Sequence, residues 1–497
     1  MAAAPVGSGS LDGYREEAER FLAALDEAAY LHFSGLRDEL ELERIYERFG
    51  HLTTLEACRT LEAAVAAGEA ARDLWRFACE GYLGQLTREA TEAIARLEAS
   101  LAADVDGERL PFRMLRPALA NEPDRARRER LERVRAELTD EHLRPRHVEI
   151  VELLRQGTED LGLPTYRALY ERFGFSLSDL ASQCQRLLDA TEDLYVRTAD
   201  RVFRARLGIA IEDARRFDVP RLARAPAWDA GFPAAAMVPA LEATLTDLGI
   251  DLRTQKNVHL DVDVRPKKSP RAFCAPIEIP NRVVLVIQPI GGAEDWRALF
   301  HEAGHTEHFA HTSADLPFEA RRLGDDAVTE GWAALFEFLV TEPVWLVRRL
   351  DFGRPDEFAS EAAATHLYVV RRYAAKLLYE LELHGGGDLA GLPDRYVEIM
   401  SEATKIEPSP ADFLGDVDLG FYSSSYLRSW AFQAQLELFL REEFGNAWFA
   451  RREAGSLLRE LWSEGQRLSA DEILRELTGG ELDLDAVVER SREPLRA

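Results

Sequence analysis

The feature that most restricts how this chain can fold is its hydrophobic period. From Leu11 to Ile250 apolar residues return every three or four positions, as in Tyr14, Ala18, Phe21, Leu25 and Ala28, and again from Leu180 to Val202. Such a stretch folds as amphipathic helices packed on one another, and Gly157, Pro164, Pro220 and Pro233 divide it without a low-complexity linker. The period changes between Asn257 and Pro289. There Val258, Leu260, Val262 and Val264 alternate with polar residues, then Phe273, Ala275, Ile277 and Ile279 do the same, which predicts two half-buried strands. Val283 to Ile287 is continuously apolar and mostly β-branched, the pattern of a central strand. After Gly292 the helical period resumes almost to the end, broken at Gly385 to Gly387 and between Pro408 and Gly420. The expected fold is mainly α, with a small antiparallel β-sheet at 257–289 ahead of a helix over 293–311. Two lobes are expected, a helical one over 1–250 and a second over 251–497.

Composition narrows the function classes. Against 61 Lys plus Arg stand 88 Asp plus Glu, a net charge of −27, which disfavours general binding to nucleic acid or to an anionic membrane. The local basic run Arg125 to Arg146 is interleaved with Glu129, Glu132 and Glu137 at helical spacing, and so reads as a solvated helix face carrying intrahelical ion pairs. Cys58, Cys79, Cys184 and Cys274 lie far apart with no CxxC pair, so neither a disulfide framework nor a thiolate zinc ribbon is indicated, and a reducing compartment suits them. The first residues carry no positive start followed by an apolar core, and no stretch reaches the ~18 apolar residues of a membrane span. A cytoplasmic location and no membrane partner are expected.

The residues that carry chemistry are His301-Glu302-Ala303-Gly304-His305. On a helix, histidines four apart share a face, so both imidazoles reach one metal while the intervening glutamate serves a water beside it. A catalytic zinc needs a third protein ligand, and two candidates follow. Glu330 lies 25 residues beyond His305, on a second amphipathic helix. His311 has the spacing of HExxHxxGxxH, but the glycine that would turn the chain back is replaced by His308, so a continuing helix carries His311 away. Glu330 is preferred. Gly304, costly in a helix interior, predicts a close approach by another backbone, for which the strand near Phe273 to Ala275 is the candidate. His308 is either an outer partner of the metal site or a packing residue. Asp325, Asp326 and Glu337 are candidates for the carboxylate that orients a ligand imidazole.

The blocks Arg271-Ala-Phe-Cys-Ala-Pro, Val283-Val-Leu-Val-Ile, Leu299-Phe-His-Glu-Ala-Gly-His-Thr-Glu-His and Val328-Thr-Glu-Gly-Trp-Ala resemble, in order and spacing, the thimet oligopeptidase and oligoendopeptidase F family of zinc metallopeptidases. The resemblance covers about Ala272 to Phe439. It implies a two-lobed helical zincin of the gluzincin type around a channel, one zinc ion per chain held by His301, His305 and Glu330, and Glu302 as general base. It also implies an edge strand, here Ala272 to Ile277, whose Ala272, Phe273, Cys274 and Ala275 pair with an extended oligopeptide. The segment Asp418 to Trp430 resembles the family's tyrosine-rich segment, which makes Tyr426, then Tyr422, the expected oxyanion donor. One departure is that no histidine follows His384, whereas the thimet branch carries one shortly before these tyrosines. His366, Tyr368, Arg371, Arg372 and Tyr373 resemble another block of the oligoendopeptidase branch, as channel or packing residues. The expected activity is endo-cleavage of short peptides by a monomer or homodimer. Two alternatives are a carboxypeptidase on the same site, with Arg428 or Arg371 binding the terminal carboxylate, and an inactive peptide- or zinc-binding scaffold of the same fold.

Overall fold

The structure, a computed structural model, describes residues 10–68 and 70–495. The chain is mainly α, as the periodicity predicts. It forms two compact units, each assembled from separate stretches: Met1–Ala78, Pro226–Ala359 and Ser425–Arg490 in the first, Cys79–Ala225, Ser360–Ser424 and Ser491–Ala497 in the second. The boundary expected at residue 250 therefore falls inside a continuous stretch of the first unit. Helical period is a local property, whereas the division of a chain into units depends on which helices pack together, and nothing in the period encodes that.

The second unit contains the long helix Leu177–Leu207, which Ser176 caps by accepting from the Asp179 amide and Gly208 ends at φ 71°. It holds strands that the helical reading passes over: β1 (Ala102–Val105) and β2 (Glu108–Pro111), an antiparallel hairpin turned by Asp106 at φ 56° and Gly107 at φ 80°. Asp-Gly is the signature of such a turn and was legible in the sequence. The basic run is also more than a solvated face. Arg128 is 2% exposed and bonds the fully buried Asp218 at 2.8 Å, while Arg135 grips Asp412 at 2.9 and 2.7 Å. These guanidinium groups enter the core because a carboxylate awaits each, and they are lost to any external phosphate.

Glu380, also in this unit, is fully buried; it accepts from the Asp418 amide at 2.6 Å and from the Ser423 hydroxyl, beside the Lys376–Asp418 ion pair. Burial pushes its carboxyl up to about 8, against the pull of Lys376. The folded value lies above the unfolded one, so the folded chain holds the extra proton, and stability falls as pH rises from the ordinary glutamate range to about 8. Thermal denaturation should show wild type losing more stability than Glu380→Gln between pH 5 and pH 8.5; equal pH slopes would mean that Glu380 is ionised throughout.

In the first unit, helix Leu11–Phe33 starts at a Ser10 cap and buries Tyr14, Ala18, Phe21 and Ala28, the face its period predicts. The strands β3 (Val258–Asp261), β4 (Phe273–Glu278) and β5 (Arg282–Val286) form one sheet in the order β3-β5-β4. Only β4 and β5 are antiparallel; β3 runs parallel to β5, so the sheet is mixed rather than antiparallel. A tight turn joins β4 to β5, but the stretch from Asp261 to Phe273 is long enough to cross over, and the most apolar strand takes the centre. β3 is also shorter than its alternation suggests, leaving Val264 76% exposed. After it the chain doubles back, and the Lys268 ammonium donates to the Asp261, Asp263 and Ile287 carbonyls at 2.8, 3.0 and 2.9 Å and to the Asp261 carboxylate at 2.9 Å. That buried cation ties the ends of β3 and β5 together. One face of the sheet packs Ala275, Ile277, Val284 and Val286 against Tyr30 of the first helix. The other packs Ile279 and Val283 against Phe309, which lies on the helix that carries the motif.

Candidate metal centre

That helix spans Ala293–His311, the predicted bounds. Gly291 and Gly292, at φ 92° and 89°, turn the chain into it, and the Asp295 carboxylate accepts from the Ile290 and Gly291 amides at 2.7 and 2.8 Å. Trp296 and Phe300 anchor one face beside Trp345, which leaves His301, Glu302 and His305 partly exposed. A second helix, Asp326–Leu339, is capped by Asp325, whose carboxylate accepts from Ala327 at 3.1 Å and is gripped by Arg428 at 2.6 and 2.7 Å.

The two helices touch at Gly304. A Cβ there would lie 2.5 Å from the Trp332 carbonyl oxygen and 2.6 Å from the Ala333 Cα. The close approach that Gly304 signals is therefore to the second helix, not to the strand near Phe273. Backbone contact at this point brings Glu330 over the histidines: its Oε2 lies 3.4 Å from His301 Nε2 and 3.8 Å from His305 Nε2. One donor atom from each of His301, His305 and Glu330 falls within 4.8 Å of the others.

The opposite ring nitrogens are held from outside. His301 Nδ1 is 3.0 Å from Glu337 Oε2, and Arg297 pairs with the same carboxylate. His305 Nδ1 is 2.9 Å from the Thr329 hydroxyl. Both Nε2 atoms are thereby turned toward Glu330. Two imidazoles and one carboxylate, convergent and oriented by outer partners, are a donor set that suits a zinc ion. Burial works against charge on His301, yet hydrogen bonds to Glu330 and Glu337 hold its pKa up at about 10. Burial takes His305 down to about 3, and burial pushes Glu302 up to about 7 despite His301 and the Cys274 amide. Burial opposes ionisation of Glu337 too, but Arg297 and His301 keep it well below the usual carboxylate range.

Other expected residues fall in different places. His311 remains on the helix, its Nδ1 against the Glu307 carbonyl at 2.9 Å. His308 is wholly buried, with Nε2 at 3.2 Å from the Gly465 carbonyl, and burial takes its pKa down to about 4, so it is a packing residue. Of the three carboxylates considered for orienting a ligand, Glu337 contacts the His301 ring and Asp325 caps a helix instead. Arg428 is 4% exposed and spent on Asp325 and on Asp471 at 2.9 Å. Arg371 is 1% exposed and donates to the Ala403 and Leu188 carbonyls, Thr191 and Glu192. Neither guanidinium is available to a terminal carboxylate. Ala272 and Ala275 are buried, while Phe273 and Cys274 are half-buried. Tyr422 and Tyr426, both half-buried, open the helix Tyr422–Phe444, Tyr422 within the second unit and Tyr426 within the first. Tyr426 stacks near Trp430 and lies roughly 120–160° around that helix from Arg428 and Phe432, the residues that pack against the Glu330 helix.

Three contributors had no motif to announce them: Thr329, Arg297 and the Cys274 amide. Thr329 stands one residue before Glu330, so its position alone was a signal; the other two depend on tertiary placement. Glu337→Gln should weaken zinc affinity by about 10–100-fold, and Thr329→Val by less because it removes a neutral partner. Competition with a chelator measures both, and unchanged affinity in Glu337→Gln would show that the His301 ring needs no such support. No protein-family model matches this chain, and no curated protein matches it.

Proposed function

We propose that this chain is a zinc-dependent metallopeptidase of zincin type that hydrolyses short peptides, as its resemblance to the thimet oligopeptidase and oligoendopeptidase F family implies. The observation that carries the reading is the convergence of His301, His305 and Glu330 with Glu302 beside them, on two helices locked together at Gly304. Bound zinc supplies a Lewis acid that lowers the pKa of water and polarises a peptide carbonyl. Glu302 takes the proton from the attacking water and hands it to the leaving amine, for which its desolvated carboxyl is suited. Glu330 and the two Nε2 atoms fix the reacting centre, and Glu337 and Thr329 keep the rings from turning. The Tyr426 hydroxyl is the proposed donor to the developing oxyanion, with Tyr422 as second choice.

With Arg428 and Arg371 saturated by internal carboxylates and carbonyls, endo-cleavage is favoured over carboxypeptidase action. Purified zinc-loaded protein should cleave quenched fluorescent peptides whether or not their C-terminus is amidated. Cleavage confined to free C-termini would make the activity a carboxypeptidase, and bound zinc without cleavage of any peptide in a broad library would favour the scaffold.

A further inference from the structure

Glu302 is tied to the sheet by main chain. The Cys274 amide on β4 donates to Glu302 Oε2 at 2.9 Å. Each residue of an antiparallel strand turns its N–H and its C=O to the same side, and successive residues alternate. The Cys274 N–H leaves the sheet for Glu302, so Cys274 presents both groups to the outer side of β4, an edge strand in the order β3-β5-β4. The next residue on that side is Pro276, which has no N–H. Between Cys274 and Pro276 the edge therefore offers acceptors and no uncommitted donor.

We infer that the Cys274 N–H is a positioning donor that aims the Glu302 carboxylate. With Oε2 fixed by the strand, Oε1 is left for the proton that Glu302 is to carry. A carboxylate free to rotate would be aimed productively only part of the time, and misplacement of a reacting group by an ångström costs on the order of 10²-fold in rate. The kinetic part of the test rests on the peptidase reading; the Cys274–Glu302 link does not.

Labelling the full chain with ¹⁵N-cysteine isolates the amide signals of its four cysteines. The signal lost in Cys274→Ala belongs to Cys274. In metal-free protein Glu302→Ala should move it upfield as the carboxylate acceptor disappears, and an unmoved signal would overturn the link. In the zinc-loaded enzyme Cys274→Pro, which removes the hydrogen from a residue already extended, should fall about tenfold or more in kcat below Cys274→Ala, with KM within about twofold. Equal kcat in the two variants would overturn the positioning role. Should Cys274→Pro fail to fold, an ester in place of the Phe273–Cys274 peptide bond removes the same hydrogen. If no peptide is cleaved at all while the amide signal shifts as expected, the peptidase reading fails and the Cys274–Glu302 link stands.

Discussion

Glu302→Gln should lower peptide cleavage by about 10²–10⁴-fold while zinc remains bound in full. The expectation follows from what the variant keeps and what it removes. The glutamine side-chain carbonyl can still accept from the Cys274 amide, so the side chain keeps its place; His301, His305 and Glu330 are untouched. Only the ability to take and return a proton is lost. The comparison needs metal analysis beside the kinetics, because a drop in activity with a drop in zinc would report a damaged site. A variant with stoichiometric zinc and more than about a tenth of wild-type activity would remove Glu302 from the chemistry.

Gly304→Ala is the second large effect. The added methyl would meet the Trp332 carbonyl oxygen at 2.5 Å and the Ala333 Cα at 2.6 Å, both main-chain atoms of the helix that carries Glu330. No side chain can rotate aside, so the helices must separate, at a cost of about 1–3 kcal/mol or more. Because Glu330 rides on the displaced helix, zinc affinity should fall together with thermal stability although no ligand has been changed. Gly84→Ala is the control: this glycine, in helix Arg72–Ser100, has open space where a Cβ would sit, so alanine should leave stability unchanged or raise it by up to ~1 kcal/mol. Calorimetry and chelator competition on the two variants check the pair. Normal zinc affinity in Gly304→Ala would mean that contact at this glycine does not set the Glu330 position.

How far the sequence could be read depended on the range of the interaction. The motif helix was legible with both its ends, because its period, its glycine turn and its histidines are all local. Glu330 was legible because it too lies on an amphipathic helix, and because His308 replaces the glycine that His311 would need. The β1–β2 hairpin went unread although Asp106-Gly107 marks its turn, because its strands are too short to interrupt the surrounding helical period. The burial of Arg128 and Arg135 was not legible, since their partners Asp218 and Asp412 are distant in sequence.

By itself the sequence determined the mainly helical class, the place of the sheet, and the residue types able to hold a metal, all of which follow from period and spacing along a few turns of chain. Only the tertiary structure decided that the sheet is mixed, that each compact unit is assembled from separated stretches, that Gly304 meets Trp332 and Ala333, and that Glu337, Thr329 and the Cys274 amide orient the site. Those are contacts between residues remote in the chain. A local pattern fixes which face of a helix is apolar, but the neighbour that covers the face is chosen by packing of the whole, and a backbone amide leaves no trace in the sequence at all.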